Sequence, residues 1–148
     1  MVRYAAMFGL RTIQSVNFER TLMDIDRVKA YWLKSAAEDR LVAGHLLEKR
    51  DYRYALFLGH LYLEKLLKAL VVQETAEQAP YSHNLLFLAN KAGIELSEDD
   101  QELFDRMTRW SIDARYPDGE TEEVDGEMCR EELNQVFARG IWLQDKMK

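Results

Sequence analysis

The chain has 148 residues, 47% of them hydrophobic, with two prolines, seven glycines and a single cysteine. A chain of this length suits one domain, and lone Cys129 excludes an internal disulfide framework and fits a reducing cytoplasm. A net charge of −6, from 20 Lys+Arg against 26 Asp+Glu, argues against tight, sequence-independent nucleic-acid binding, whose affinity rests on phosphate neutralisation, while leaving room for a local basic patch.

Residues 1–22 show weak periodicity and a basic bias from Arg3, Arg11 and Arg20. They read as an N-terminal arm or extension, either a short helix or a flexible segment, and no small-residue cleavage site marks them as a signal peptide. Asp24 and Asp26 are good N-cap residues, so the helical domain is expected over 23–148. The first strong pattern runs from Arg27 to Lys49. Its spacing Ala30, Leu33, Ala37, Leu41, Gly44, Leu47 marks one helical face, widened by Trp32, Ala36 and Ala43, with Ala37 and Gly44 small enough for a close helix neighbour.

After a short link at Arg50-Asp51, in which Asp51 can cap, Tyr52 to Gln73 reads as the central helix. It has no proline, one glycine and apolar residues on nearly every side, the pattern of a helix enclosed by others. Its apolar run is far short of the ~20 residues that span a bilayer, so a soluble, cytoplasmic protein is expected. The polar exceptions matter most. His60, Glu64 and Lys68 fall at successive i, i+4 positions and form one polar line, with Lys65 beside it. Glu64 needs a partner there, either Lys68 or an arginine from another helix. The line is either a structural ion pair fixing helix register or the wall of a functional cleft.

A loop closed by Pro80 follows, and Ser82 is expected to cap a third helix of about ten residues that Gly93 ends. Ser97-Glu98-Asp99-Asp100 has the form of a capping box and opens a fourth helix, with Leu103, Met107, Trp110 and Ala114 on its apolar side and Glu102, Arg106, Arg109 and Asp113 opposite. Tyr116-Pro117-Asp118-Gly119 stops it. The last helix is expected from Gly126 to Met147, with Cys129, Leu133, Val136, Gly140 and Leu143 on one stripe. The predicted fold class is all-α: an antiparallel, up-and-down bundle of about five helices, a four-helix core plus one short helix.

No metal site and no cofactor are expected, because no glutamate precedes His45, His60 or His83 by three positions as di-iron bundles require. Neither a phosphate loop nor a nucleophile elbow occurs. Buried Cys129 reads as inert packing. His83, next to the presumed cap, reads as a surface residue.

The central LEKLLKA, the later SHNLLFLA and the helix-ending ARYPD together resemble the HEPN domain, a small helical family of prokaryotes also found at the C-terminus of the chaperone sacsin. The resemblance covers roughly residues 24–148. It implies a helical bundle that pairs as a homodimer, often as the partner of a minimal nucleotidyltransferase in a toxin–antitoxin pair. Catalytic members are metal-independent ribonucleases that use an arginine followed after four to six residues by a histidine, two copies meeting in the dimer cleft. Here the positions after Arg109 are Ala114, Arg115 and Tyr116, and no histidine follows His83. The matching residues still form an expected nucleotide or RNA site of Arg109, Arg115, Tyr116 and Asp118. Two readings stay open: a nucleotide-, RNA- or protein-binding homodimer with a degenerate catalytic motif, or a ribonuclease using Arg109 with Tyr116 or with a histidine supplied by His60.

Overall fold

The computed structural model describes residues 2–117 and 122–148, with side chains from residue 24 onward. Over these residues the chain forms five helices and no strand: α1 (Val2–Glu48), α2 (Tyr52–Thr75), α3 (Leu85–Lys91), α4 (Glu98–Arg115) and α5 (Gly126–Gln144). The all-α bundle expected from the sequence is the fold observed. α2 is its axis and touches each of the other four helices. Every residue from Leu66 to Val72 is buried, two turns with no solvent side, as the absence of a polar face predicts. Tyr62, Leu63, Leu66 and Leu67 fill the centre, with Phe104, Met107, Leu133 and Leu143 packed around them.

The helix ends follow from local chemistry. Ser97 Oγ accepts from Asp100 N–H and Asp125 Oδ1 from Met128 N–H, so two side-chain caps open α4 and α5. α3 is shorter than its sequence suggests, because Asn84, not Ser82, is its cap and accepts from Phe87 N–H. Ser82 Oγ instead accepts from Asn84 N–H inside the preceding loop. Gly93 ends α3 at φ 70°, where Gly93 N–H bonds to Asn90 C=O and Ile94 N–H to Ala89 C=O.

The α1–α2 link uses the same device without a glycine. Arg50 holds φ 67°, with Arg50 N–H on Leu47 C=O and Asp51 N–H on Leu46 C=O. Asp51 makes no side-chain cap, contrary to expectation, since the backbone bonds of this turn already set the exit of α1. So short a link makes α1 and α2 an antiparallel hairpin.

Two details of α1 differ from the sequence reading. No helix start occurs at Asp24 or Asp26; α1 runs through both, as no proline interrupts the stretch before them. The buried line of α1 is Lys29, Ala36 and Ala43: the two alanines expected to widen the predicted stripe carry it, one residue from the stripe's centre. Leu41 is left 62% exposed, and a Cβ on Gly44 would meet no described atom within 4 Å. α2 already carries the large side chains of this interface, so the alanines of α1 meet it. The intimate contact occurs at Gly140 of α5, where a Cβ would overlap the Tyr62 ring and its hydroxyl.

Candidate functional site

The predicted polar line on α2 is real and buried. His60 has no solvent exposure, Glu64 3% and Lys68 8%, while Lys65 turns to α1 and binds Asp39 at 2.6 Å and Ser35 Oγ at 2.7 Å. Lys68 Nζ stands 3.5 Å from Glu64 Oε2, the pairing foreseen one turn along. The shorter contact comes from elsewhere. His83 Nδ1 lies 2.6 Å from Glu64 Oε1, and His60 Nε2 lies 2.7 Å from the His83 carbonyl.

These distances fix the tautomers. A carbonyl oxygen only accepts, so His60 Nε2–H donates to it and His60 Nδ1 is a bare acceptor, buried without a partner among the described residues. Burial lowers the pKa of His60 to about 4; the bond to the His83 carbonyl and the charge of Glu64 oppose that, and the charges of Arg115 and His83 add to it. His60 is therefore a neutral donor near pH 7. A carboxylate also only accepts, so His83 donates Nδ1–H to Glu64 and keeps Nε2 for whatever approaches from outside. With its side chain 53% exposed, His83 stands at the mouth of the cluster, whereas Glu64 lies at its floor.

Arg115 closes the cluster from the last turn of α4. Its Nη1 donates to buried Ser111 Oγ, and its guanidinium lies over the Phe57 ring, 4.9 Å from the centroid. Its Nη2 is 3.4 Å from His83 Nδ1. Since that nitrogen gives its proton to Glu64, the contact with Arg115 is a juxtaposition of two donors rather than a hydrogen bond. The guanidinium, held in place by Ser111 and Phe57, suits an anion that accepts from Arg115 at this mouth.

Of the predicted nucleotide-binding residues that are described, Arg115 alone joins this cluster. Arg109 lies on the exposed face of α4, 3.7 Å from Asp105 one turn back. Tyr116 caps α4 and is 75% exposed. Asp118 lies outside the described residues. His60, considered as the source of a catalytic histidine, is sealed and already committed to the His83 carbonyl. The residue that sequence reasoning passed over is His83. Its only signal was its place inside SHNLLFLA, beside the loop that must return over α2. Arg106, predicted on the solvated face, binds Glu132 of α5 through Nη2 and Nε at 2.9 and 3.2 Å, which raises its pKa, and serves helix packing. Among the described residues no three His, Cys, Asp or Glu side chains come together as metal ligands, and no helix is long and apolar enough to cross a membrane.

Comparison with known proteins bears on the fold and the family. The crystal structure of TT1696 from Thermus thermophilus superposes with a TM-score of 0.70 over 80% of this chain and 98% of that one, at 22% identity, a likeness of fold. A search of characterised proteins finds no sequence match. The family model of the HEPN domain matches residues 30–141, most of the chain and all the helices of the cluster, and the protein belongs to the HEPN domain family.

Proposed function

We propose that the protein is a homodimeric HEPN protein that binds a phosphate-bearing ligand, a nucleotide or RNA, at the Arg115–His83 mouth. The observation that carries this is the pair itself: a guanidinium anchored by Ser111 and Phe57 stands beside an imidazole anchored by Glu64 at the open side of the cluster. Arg115 supplies a forked donor for phosphate oxygens, and exposed Tyr116 next to it supplies a ring on which a base can stack. The partnership with a minimal nucleotidyltransferase belongs to the same reading and is tested by co-purification with such a protein. Sedimentation of the purified chain tests the dimer.

Fluorescence anisotropy with a labelled short RNA tests the site. Arg115→Ala is expected to weaken binding at least tenfold at fixed salt, the loss of one charge-assisted contact. Binding that is absent in the wild type, or indifferent to Arg115→Ala, sinks the proposal.

The Glu64–His83 contact favours a second reading, a metal-independent ribonuclease. In it, His83 Nε2 takes a proton from the attacking ribose 2′-hydroxyl or returns one to the leaving 5′-oxygen, Glu64 holds the tautomer, and Arg115 steadies the phosphate. The arginine and histidine that the family places close in sequence would here be brought together from α4 and the loop before α3. RNA cleavage measured in EDTA decides: loss of 10²- to 10⁴-fold in His83→Ala is the expected size for an acid–base group. A silent wild type removes this second reading and leaves the first untouched.

A further inference from the structure

A groove of about 570 Å³, the size of a small-molecule site, lies between α1 and α5, lined by Ala37, Arg40, Leu41 and Gly44 of α1, Phe137 of α5 and Tyr62 of α2 among others. None of its residues belongs to the His83 cluster. The groove exists because α1 carries small residues where it faces α5. A Cβ on Gly44 would meet no described atom within 4 Å, and Leu41 is left 62% exposed. Tyr62 is fully buried, and its ring meets Phe137 edge-on with centroids 6.0 Å apart.

One cation stands among these apolar walls. The Arg40 guanidinium lies over the Phe137 ring, 5.0 Å from its centroid, and pairs with no carboxylate among the described residues. Stacking uses the face of a guanidinium and leaves the N–H donors at its edge open. The same charge reaches the Tyr62 hydroxyl, whose pKa burial raises and Arg40 lowers. His45 and Glu48 of α1 are the other titratable groups at the groove besides Tyr62. Glu48 is eight residues from Arg40, about 12 Å along the helix at ~1.5 Å per residue, beyond the reach at which it would neutralise that charge in water. An apolar slot with an unpaired cation on its wall matches an amphiphile with an anionic head.

We infer that the α1–α5 groove is a binding site for an apolar carboxylate of the medium-chain fatty-acid class, its head accepting from Arg40 and its body lying on Leu41, Gly44 and Phe137. Charge complementarity selects this occupant: a neutral hydrocarbon leaves the guanidinium without a partner, and a cationic amphiphile is repelled by it. Gly44 is part of the site. Glycine is costly inside a helix, and the packing of this one does not require it, since a Cβ has space. What the missing side chain provides is the open slot. The site is independent of the phosphate-binding reading above.

Calorimetric titration of the full chain with octanoate, butanoate and octylamine near neutral pH tests it, on the wild type, Arg40→Gln and Gly44→Leu. Octanoate is expected to bind at least tenfold tighter than butanoate, because four more methylenes leave water, and at least tenfold tighter than octylamine, whose head carries the opposite charge. Arg40→Gln should weaken octanoate at least threefold, the size of one exposed ion pair. Gly44→Leu should abolish octanoate binding while raising Tm, because leucine is the better helix former and enters open space. A variant more stable than the wild type cannot owe that loss to misfolding. If Gly44→Leu fails to fold, Arg40→Gln, at an exposed position, decides alone. Octanoate that does not bind the wild type overturns the inference and leaves this face to a protein partner. Binding that butanoate or octylamine equals, that Arg40→Gln does not weaken, or that a folded Gly44→Leu leaves unchanged overturns it as well.

Discussion

Acidification from pH 7 to pH 5 should destabilise this protein through His60, by an amount its burial sets. The folded pKa is about 4, against 6.5 in the unfolded chain, with burial as the leading cause. A folded value below the unfolded one means that protons bind the unfolded state first. The contribution of neutral His60 is thus complete above pH 6.5 and is lost as the pH falls toward 4. At 1.36 kcal/mol per pKa unit, the step from pH 7 to pH 5 removes about 2 kcal/mol and the step to pH 4 about 3 kcal/mol. A loss of that size is a large fraction of the ~5–15 kcal/mol that holds a domain together. Urea unfolding followed by circular dichroism at pH 7, 6 and 5 measures it, on the wild type beside His60→Gln. The glutamine amide can still donate to the His83 carbonyl but does not titrate in this range, so the difference between the two curves isolates His60 from the other ionisable groups. The wild type should lose about 2 kcal/mol more than the variant between pH 7 and pH 5. Parallel curves would refute the reasoning and mean that the buried ring is free to charge.

Gly140→Ala drives a Cβ into Tyr62, against both the hydroxyl and the ring carbons; a loss of about 3 kcal/mol is expected, read as a fall in Tm. Arg50→Gly relieves a left-handed residue at φ 67° and should raise stability by about 0.5–1 kcal/mol in urea unfolding, net of the entropy that glycine adds to the unfolded chain. Burial pushes the Cys129 thiol up to about 11, so at pH 8 it should react with a disulfide reagent only as fast as the protein opens, and at once when urea is present. Immediate reaction of the folded protein would show the last helix to be loosely packed.

The bundle was legible because its determinants are local and repetitive. α2 reads as central from its lack of a polar face, α4 opens at the serine that the capping pattern names, and the tight α1–α2 link forces a hairpin. The face of α1 was harder to read. A stripe of mixed small and large residues leaves the choice to the partner helix, and α2, already bulky, takes the alanines rather than Leu41. The polar line was legible as an anomaly, since a charge in an apolar rod demands a partner. Which partner it finds depends on where an irregular loop returns, and no periodicity encodes that. Hence Lys68 could be named from spacing, whereas His83, 19 residues beyond Glu64 and on no helix, could not. Arg109 and Arg115 looked equivalent in the sequence. A separation of six positions, at ~3.6 residues per turn, puts the two on different sides of α4, one toward solvent and one toward the cluster.

The geometry also bears on the two readings of that polar line. A group that fixes helix register should spend its hydrogen bonds on a neighbouring helix. Here His60 gives its proton to a loop carbonyl, and Glu64 makes its 2.6 Å contact with the ring of that same loop residue, against 3.5 Å to Lys68. Two successive turns of the central helix therefore grip one residue, by its backbone and by its side chain. Swinging the His83 ring outward would leave Glu64 buried with Lys68 as its remaining ion-pair partner, and a hydrogen bond to a charged group is worth about 1.5–3 kcal/mol. That is enough to hold the imidazole in one orientation most of the time and too little to prevent it from moving when a ligand offers a better acceptor. A rigid helix thus lends its order to a loop, and the loop presents a histidine with one ring nitrogen held and the other open beside Arg115.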